Sequence, residues 1–227
     1  MKNAAKPIFD ITPFTMLDYP DHLACIVWFA GCNMRCLYCY NPHIVLGEGD
    51  IGANELLDFL RKRVNHLEGV VLSGGEVTLY PELSELCRDI KELGFKIKLD
   101  TNGSNPQVLS LLLKNSLVDF VSLDFKAAKT LFKAVTLSNF YDSLISSLQI
   151  LQGGNIPFEV RTTVHTDLLN EEAINEMAGV LVENGYGGIY YLQNYLHAEQ
   201  TLGSLNANPK RLDKSILTDK IKIEFRN

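Results

Sequence analysis

The chain of 227 residues has no excess of basic charge: 21 Lys and Arg against 27 Asp and Glu leave a formal charge of −6. That balance removes the electrostatic basis for binding nucleic acid or an anionic membrane. One mildly basic stretch, Lys210, Arg211, Lys214, Lys220, Lys222 and Arg226, is interrupted by acids and reads as solvated surface. Long apolar runs are also missing. The longest, Leu23 to Ala30, is far shorter than a membrane span. Met1–Asp10 lack the apolar core and small-residue cleavage site of a signal peptide. Cysteine is scarce and odd in number, five in all, with three crowded together. Such usage argues against a secreted disulfide scaffold and for a reducing compartment. The expectation is therefore a cytoplasmic protein with neither a membrane nor a nucleic-acid partner. Hydrophobic residues at 46% and charged residues at 21% are ordinary for a packed globular chain, and the length suits one large domain or two small ones.

What is present is a βα rhythm, with no internal repeat or low-complexity tract. Short apolar runs at Cys25–Phe29, Gly69–Leu72, Phe95–Asp100, Phe120–Phe125, Phe158–Val164 and Gly188–Leu192 read as strands buried on both faces of a parallel sheet. Between them, three- and four-residue apolar spacing predicts helices over Ala53–Val64, Pro81–Leu93, Pro106–Lys114, Tyr141–Gln152 and Glu171–Asn184. Pro81 and Pro106 suit first helical turns, and Gly94, Gly153 and Gly185 suit left-handed helix ends. Six strands are too few for a closed (β/α)8 barrel. The predicted fold class is α/β, a partial (open) TIM-like barrel of about six βα units, with a Rossmann-like open sheet as the alternative. Residues 1–200 would form the barrel and 201–227 a C-terminal extension, with a short strand within Ile216–Phe225. Either fold gathers ligands at the carboxyl ends of its strands.

The run Gly31-Cys-Asn-Met-Arg-Cys-Leu-Tyr-Cys-Tyr-Asn-Pro42 follows the first of these strands. Cys32, Cys36 and Cys39 lie close enough in sequence to hold three corners of a cubane iron–sulfur cluster, leaving its fourth iron open. The less favoured alternatives are that Cys32, Cys36, Cys39 and His43 make a Cys3His set for structural zinc, or that the cysteines are buried small apolar residues. Tyr38 and Tyr40 flank Cys39, either against a ligand or as loop aromatics. Cys25 and Cys87 have no partner spacing and look structural.

Other strand ends carry further polar groups. Ser73-Gly74-Gly75-Glu76 offers two glycines that permit close backbone approach, then a carboxylate for a cation. Asp100-Thr101-Asn102-Gly103 has the composition of a cap leading into the helix at Pro106. Asp124 and Lys126, two apart, share a face, where a charged pair is costly unless paired or used. Arg161 suits a two-pronged grip on a carboxylate, or pairing with Glu159. His165 and His197 carry no claim.

The C-x3-C-x2-C pattern with Tyr38 before its third Cys closely resembles the radical S-adenosylmethionine (SAM) superfamily. Taken with Phe14-Thr-Met-Leu-Asp-Tyr-Pro20, Ser73–Glu76, Asp100–Gly103 and Asp124–Lys126, it looks like the glycyl radical enzyme activases, in particular the activating proteins of anaerobic ribonucleoside-triphosphate reductases. The likeness spans roughly residues 12 to 195. It implies a 4Fe–4S cluster on Cys32, Cys36 and Cys39, with SAM on the open iron. It also implies SAM contacts from Tyr38, Tyr40, Gly74, Gly75, Glu76, Asp100, Thr101, Asn102, Asp124, Lys126 and Arg161, and a monovalent cation beside Asp100 and Thr101. Val77 and Tyr40 depart from the Pro and His that many relatives carry. The implied partners are a glycyl radical enzyme, the large subunit of anaerobic ribonucleotide reductase, and a flavodoxin or ferredoxin-type electron donor. A small-molecule radical SAM enzyme, such as a 7-carboxy-7-deazaguanine synthase, would share most of these residues. A zinc-stabilised binding module without enzymatic activity is the remaining alternative.

Overall fold

The computed structural model describes residues 6–197 and 200–226. The expectation that no leader peptide is present falls partly on Met1–Ala5, outside the described residues. Among the described residues the strands are β1 (Ile8–Thr15), β2 (Ala24–Phe29), β3 (Gly69–Gly74), β4 (Lys96–Thr101), β5 (Phe120–Asp124), β6 (Phe158–Val164), β7 (Tyr190–Asn194) and β8 (Ile223–Arg226). They form one open sheet whose strand order is chain order. β1 pairs antiparallel with β2, whereas β2–β3, β3–β4, β6–β7 and β7–β8 pair parallel. The helices are α1 (Pro42–Leu46), α2 (Ala53–Arg61), α3 (Leu83–Glu92), α4 (Pro106–Lys114), α5 (Lys129–Thr136), α6 (Tyr141–Gln152) and α7 (Glu171–Glu183). This is the expected α/β class with an unclosed sheet. Among the described residues no helix is long and apolar enough to cross a membrane.

The chain divides into two compact units. One runs through Asn33, then His43–Thr101 and Gln107–Val121. In it β2, apart from half-buried Trp28, and the first four residues of β3 are buried, as continuous apolar runs require when both faces are covered. Tyr19, Ala24, Ile26 and Val71 form a cluster against which Trp28 and Phe120 pack. α2 buries Leu56, Leu57 and Leu60, and α3 buries Leu83, Leu86, Cys87 and Ile90, each at helical spacing. Each such side chain is worth about 1.5–3 kcal/mol when fully buried. Burial pushes the Cys25 and Cys87 thiols up to about 12, so both are inert apolar residues, as expected. α3 starts at Leu83 rather than Pro81, because the Leu83 N–H first closes a turn onto the Tyr80 carbonyl. β1 was not predicted. It is an edge strand, buried only at Ile8 and Thr15 and irregular in register, and it contains Pro13, all of which weaken the period-2 signal.

The other unit comprises Met34–Pro42, Asn102–Pro106 and the chain from Ser122 onward. Tyr190 is fully buried and its hydroxyl meets Thr162 Oγ1 at 2.7 Å. Glu159 does not pair with Arg161. Its carboxylate instead accepts two bonds from Arg226 on β8, at 3.1 and 2.7 Å, and one from the Ser122 hydroxyl at 2.7 Å. Burial pushes the Glu159 carboxyl up, but these donors outweigh it and hold the group below its ordinary value. Gly153 ends α6 in the right-handed region, φ −79 and ψ −8, not the left-handed one expected, its N–H still bonding the Gln149 carbonyl. Gly94 and Gly185 are left-handed, at φ 92 and 80.

Candidate functional site

The site residues of the first unit begin where β2 ends. Gly31 adopts φ +83 and donates its N–H to the Ile44 carbonyl at 2.8 Å, which turns the chain into half-buried Cys32. The end of β3 lies directly against this turn. Gly75 N–H donates to Phe29 O at 2.8 Å and Glu76 N–H to Gly31 O at 2.9 Å. A Cβ on Gly75 would fall 1.8 Å from Gly31 O, and one on Gly74 2.4 Å from Phe29 N. The close approach these glycines permit is therefore that of the chain leading into Cys32.

Glu76 is 2% exposed. Its Oε1 accepts from the Thr78 N–H at 3.1 Å, the Thr78 hydroxyl at 2.6 Å and the Thr101 hydroxyl at 2.8 Å. Three donors on one oxygen fix the carboxylate's orientation, the requirement for gripping a cationic group. Asp100 Oδ2 accepts from the Ser73 hydroxyl at 3.0 Å, while Oδ1 is bonded to the ammonium of Lys98. Lys98 is a neighbour of the candidate site that motif reading missed. Its signal was present, since Lys98 and Asp100 have the same two-residue spacing as Asp124 and Lys126.

In the second unit the rest of the cysteine loop is tied at both ends. Arg35 and Leu37 donate their N–H groups to the carbonyls of Thr136 and Val135, at the end of α5, at 2.8 and 3.0 Å. From the C-terminal extension, Gly203 N–H reaches Leu37 O at 2.8 Å and Leu202 N–H reaches Cys39 O at 3.3 Å. A tight turn, Cys39 N–H to Cys36 O at 3.0 Å, spaces the two thiols, with Cys36 buried and Cys39 half-buried. Tyr38 is buried and donates its hydroxyl to the Lys126 carbonyl at 3.2 Å; burial, then the neighbouring Cys36, push its phenol well above the usual range. Tyr40 stacks on Tyr195 with ring centres 5.2 Å apart, and its hydroxyl accepts the Leu196 N–H at 2.7 Å.

Asp124 joins Lys126 Nζ at 3.0 Å and Arg161 Nε at 2.6 Å. Burial alone would push its carboxyl up, but Arg161 and Lys126 outweigh this and hold it well below the carboxylate range. Burial likewise pulls the Lys126 ammonium down, and Asp124 more than restores it, so the lysine stays charged. The half-buried Asp124 carboxylate thus bridges the Lys126 ammonium and the Arg161 guanidinium. Asn102 forms a local turn, its side-chain oxygen accepting the Ser104 N–H at 2.9 Å, and Gly103 beside it has φ +72. His165 is a core residue, its Nε2 3.0 Å from the Asn206 carbonyl, and His197 is exposed.

Among the described residues no group of three or more His, Cys, Asp or Glu side chains is arranged to hold a metal ion. What suits a cluster is the donor set itself, three cysteines at x3 and x2 spacing on a loop braced by backbone bonds at both ends.

The sequence profile of the radical SAM superfamily matches residues 26–181. A provisionally assigned glycyl-radical enzyme activating enzyme of Methanocaldococcus jannaschii is 31% identical over 188 residues, covering 78% of this chain and 75% of the relative. The pyruvate formate-lyase-activating enzyme of Clostridium pasteurianum is 35% identical over 126 residues, 52% of either chain. The crystal structure of Streptococcus suis SuiB bound to S-adenosylmethionine superposes with a TM-score of 0.66 at 17% identity, over 89% of this chain and 52% of that one, a likeness of fold. The chain thus spans only about half the length of the second relative and of this structure.

Proposed function

The chain belongs to the radical SAM superfamily, and from that premise we propose that it is an activase that installs a glycyl radical on a partner enzyme, with anaerobic ribonucleoside-triphosphate reductase as the partner. The observation that carries this reading is the likeness, over 78% of the chain, to a protein named as a glycyl-radical enzyme activating enzyme. The family implies a 4Fe–4S cluster and SAM as cofactors.

In this reading Cys32, Cys36 and Cys39 would hold the cluster, which would supply the electron for reductive cleavage of SAM and so the oxidising power to take a hydrogen atom from a glycine. The chain's own residues do the positioning. Glu76, its Oε1 pinned by three donors, receives the α-ammonium of SAM. Lys126 and Arg161, both held by Asp124, receive the carboxylate. Tyr40, stacked on Tyr195, presents an aromatic surface for the adenine. Residues 1–200 act as the catalytic barrel and 201–227 as an extension that braces the cysteine loop. A flavodoxin or ferredoxin-type protein in the cytoplasm delivers the electron.

The test is anaerobic incubation of the reconstituted protein with reductant, SAM and the reductase large subunit. A glycyl radical doublet in the electron paramagnetic resonance spectrum, with 5′-deoxyadenosine formed alongside, is the expected result. SAM cleavage that yields no protein radical with any of a panel of glycyl radical enzymes would overturn it in favour of a small-molecule substrate.

A further inference from the structure

The resemblance to the activating branch implies a monovalent cation beside Asp100 and Thr101, and the residues of this chain do not fit one. Lys98 and Asp100 lie two apart on β4 and share a face. Lys98 is 1% exposed, and its ammonium bonds Asp100 Oδ1. The other carboxylate oxygen accepts the Ser73 hydroxyl at 3.0 Å. The Thr101 hydroxyl commits its hydrogen to Glu76 Oε1 at 2.8 Å. Sodium and potassium are bound through oxygen ligands, and the carboxylate that would supply them is already engaged at both oxygens. A metal cation brought to Asp100 would also lie within a few ångströms of a buried ammonium, where like charges are poorly screened.

We propose that Lys98 is a covalently tethered substitute for that cation, a positioning residue that neutralises and orients Asp100, so that the protein needs no monovalent metal. A lysine buried this deeply must be paired, and a purely structural Lys98–Asp100 bridge would satisfy that demand equally well. The two roles differ in one respect. If the ammonium occupies a cation's place, its removal opens a site that Na⁺ or K⁺ fills. If it is only a bridge, its removal leaves a damaged protein that is indifferent to the salt.

The consequence for SAM rests on the function proposed above, whereas the cation preference is a property of the chain alone. The experiment therefore begins with the protein before cluster reconstitution. Thermal midpoints and ²³Na line widths are measured in sodium, potassium and tetramethylammonium chloride at matched ionic strength, for the wild type and Lys98→Met. The wild type should melt at one temperature in all three salts and leave the sodium line unbroadened. Lys98→Met should melt lower in tetramethylammonium, recover part of the loss in sodium or potassium, and broaden the sodium line. After reconstitution, SAM affinity of the variant should fall about tenfold in tetramethylammonium, the scale of one charge-assisted hydrogen bond, and be rescued by the small cations. Stoichiometric Na⁺ or K⁺ binding by the wild type overturns the proposal, as does a folded variant with no cation response. Should Lys98→Met not fold, Lys98→Gln, which keeps a neutral hydrogen-bond donor beside Asp100, replaces it in the same salt comparison, with the same response expected and the same indifference overturning the proposal. Failure of both proteins to bind SAM in any salt would count against the activase reading and leave the cation result standing.

Discussion

Alanine at Gly75 should destabilise the protein by about 3–5 kcal/mol and abolish iron uptake, whereas alanine at Gly31 should cost about 1–2 kcal/mol. The added carbon at Gly75 would lie 1.8 Å from Gly31 O and 3.2 Å from Cys32 N. Both are backbone atoms, so no rotamer change relieves the clash. The strand end and the turn must move apart, which breaks the Glu76 N–H to Gly31 O and Gly75 N–H to Phe29 O bonds, each worth about 1 kcal/mol. At Gly31 the added carbon meets nothing within 4 Å, and only the left-handed φ of +83 opposes it. Thermal denaturation and iron analysis of the two variants side by side check the contrast. For a chain of this size the Gly75 variant should melt about 10 °C lower. Equal effects at the two glycines would mean that the loop is not held against the end of β3.

Removing the Asp124 carboxylate is the second large effect. Lys126 and Arg161 have side chains only 19% and 17% exposed, and both lean on this one anion. Breaking a buried pair from one side costs about 3–5 kcal/mol; with this partial exposure Asp124→Ala should lose about 2–4 kcal/mol. SAM cleavage should disappear as well, because the two cations lose the group that aims them. The pH dependence has a definite sign. The folded carboxyl titrates below its unfolded value of about 4, so its stabilisation is complete above that pH and is lost as the pH falls from there through the folded value. The stability difference between wild type and Asp124→Asn, followed by denaturant titration, should hold constant above about pH 4 and shrink only below it. A difference already shrinking near neutrality would show that the pair does not hold Asp124 ionised.

The two long-range ion pairs of the second unit show where sequence reasoning stops. Glu159 stands two residues from Arg161 and looks like its natural partner. The sheet instead brings Asp124 to Arg161, alongside the Phe125 N–H to Arg161 O bond of 2.9 Å, and delivers Arg226 to Glu159 from 67 residues away. No local pattern encodes either contact. The six buried strands were legible because burial on both faces leaves continuous apolar runs, whereas β1 buries only its two end residues and contains Pro13. α5 escaped notice for a related reason. It has eight residues, lies just past a strand end and stops at left-handed Leu137, φ 50, rather than at a glycine. The superfamily was legible because its cysteine pattern is a matter of spacing along the chain. Lys98 was overlooked because a lysine in a strand ordinarily faces solvent, as Lys96 does on the same strand.

Iron and sulfide analysis of the anaerobically reconstituted chain, with its spectrum recorded before and after SAM is added, tests the reading of the cysteine loop most directly. Wild-type protein should be brown, carry a full 4Fe–4S complement per chain and change its reduced-state magnetic resonance signal on adding SAM, and Cys36→Ala should lose all three properties. A colourless protein that holds a single zinc ion and does not respond to SAM would contradict it.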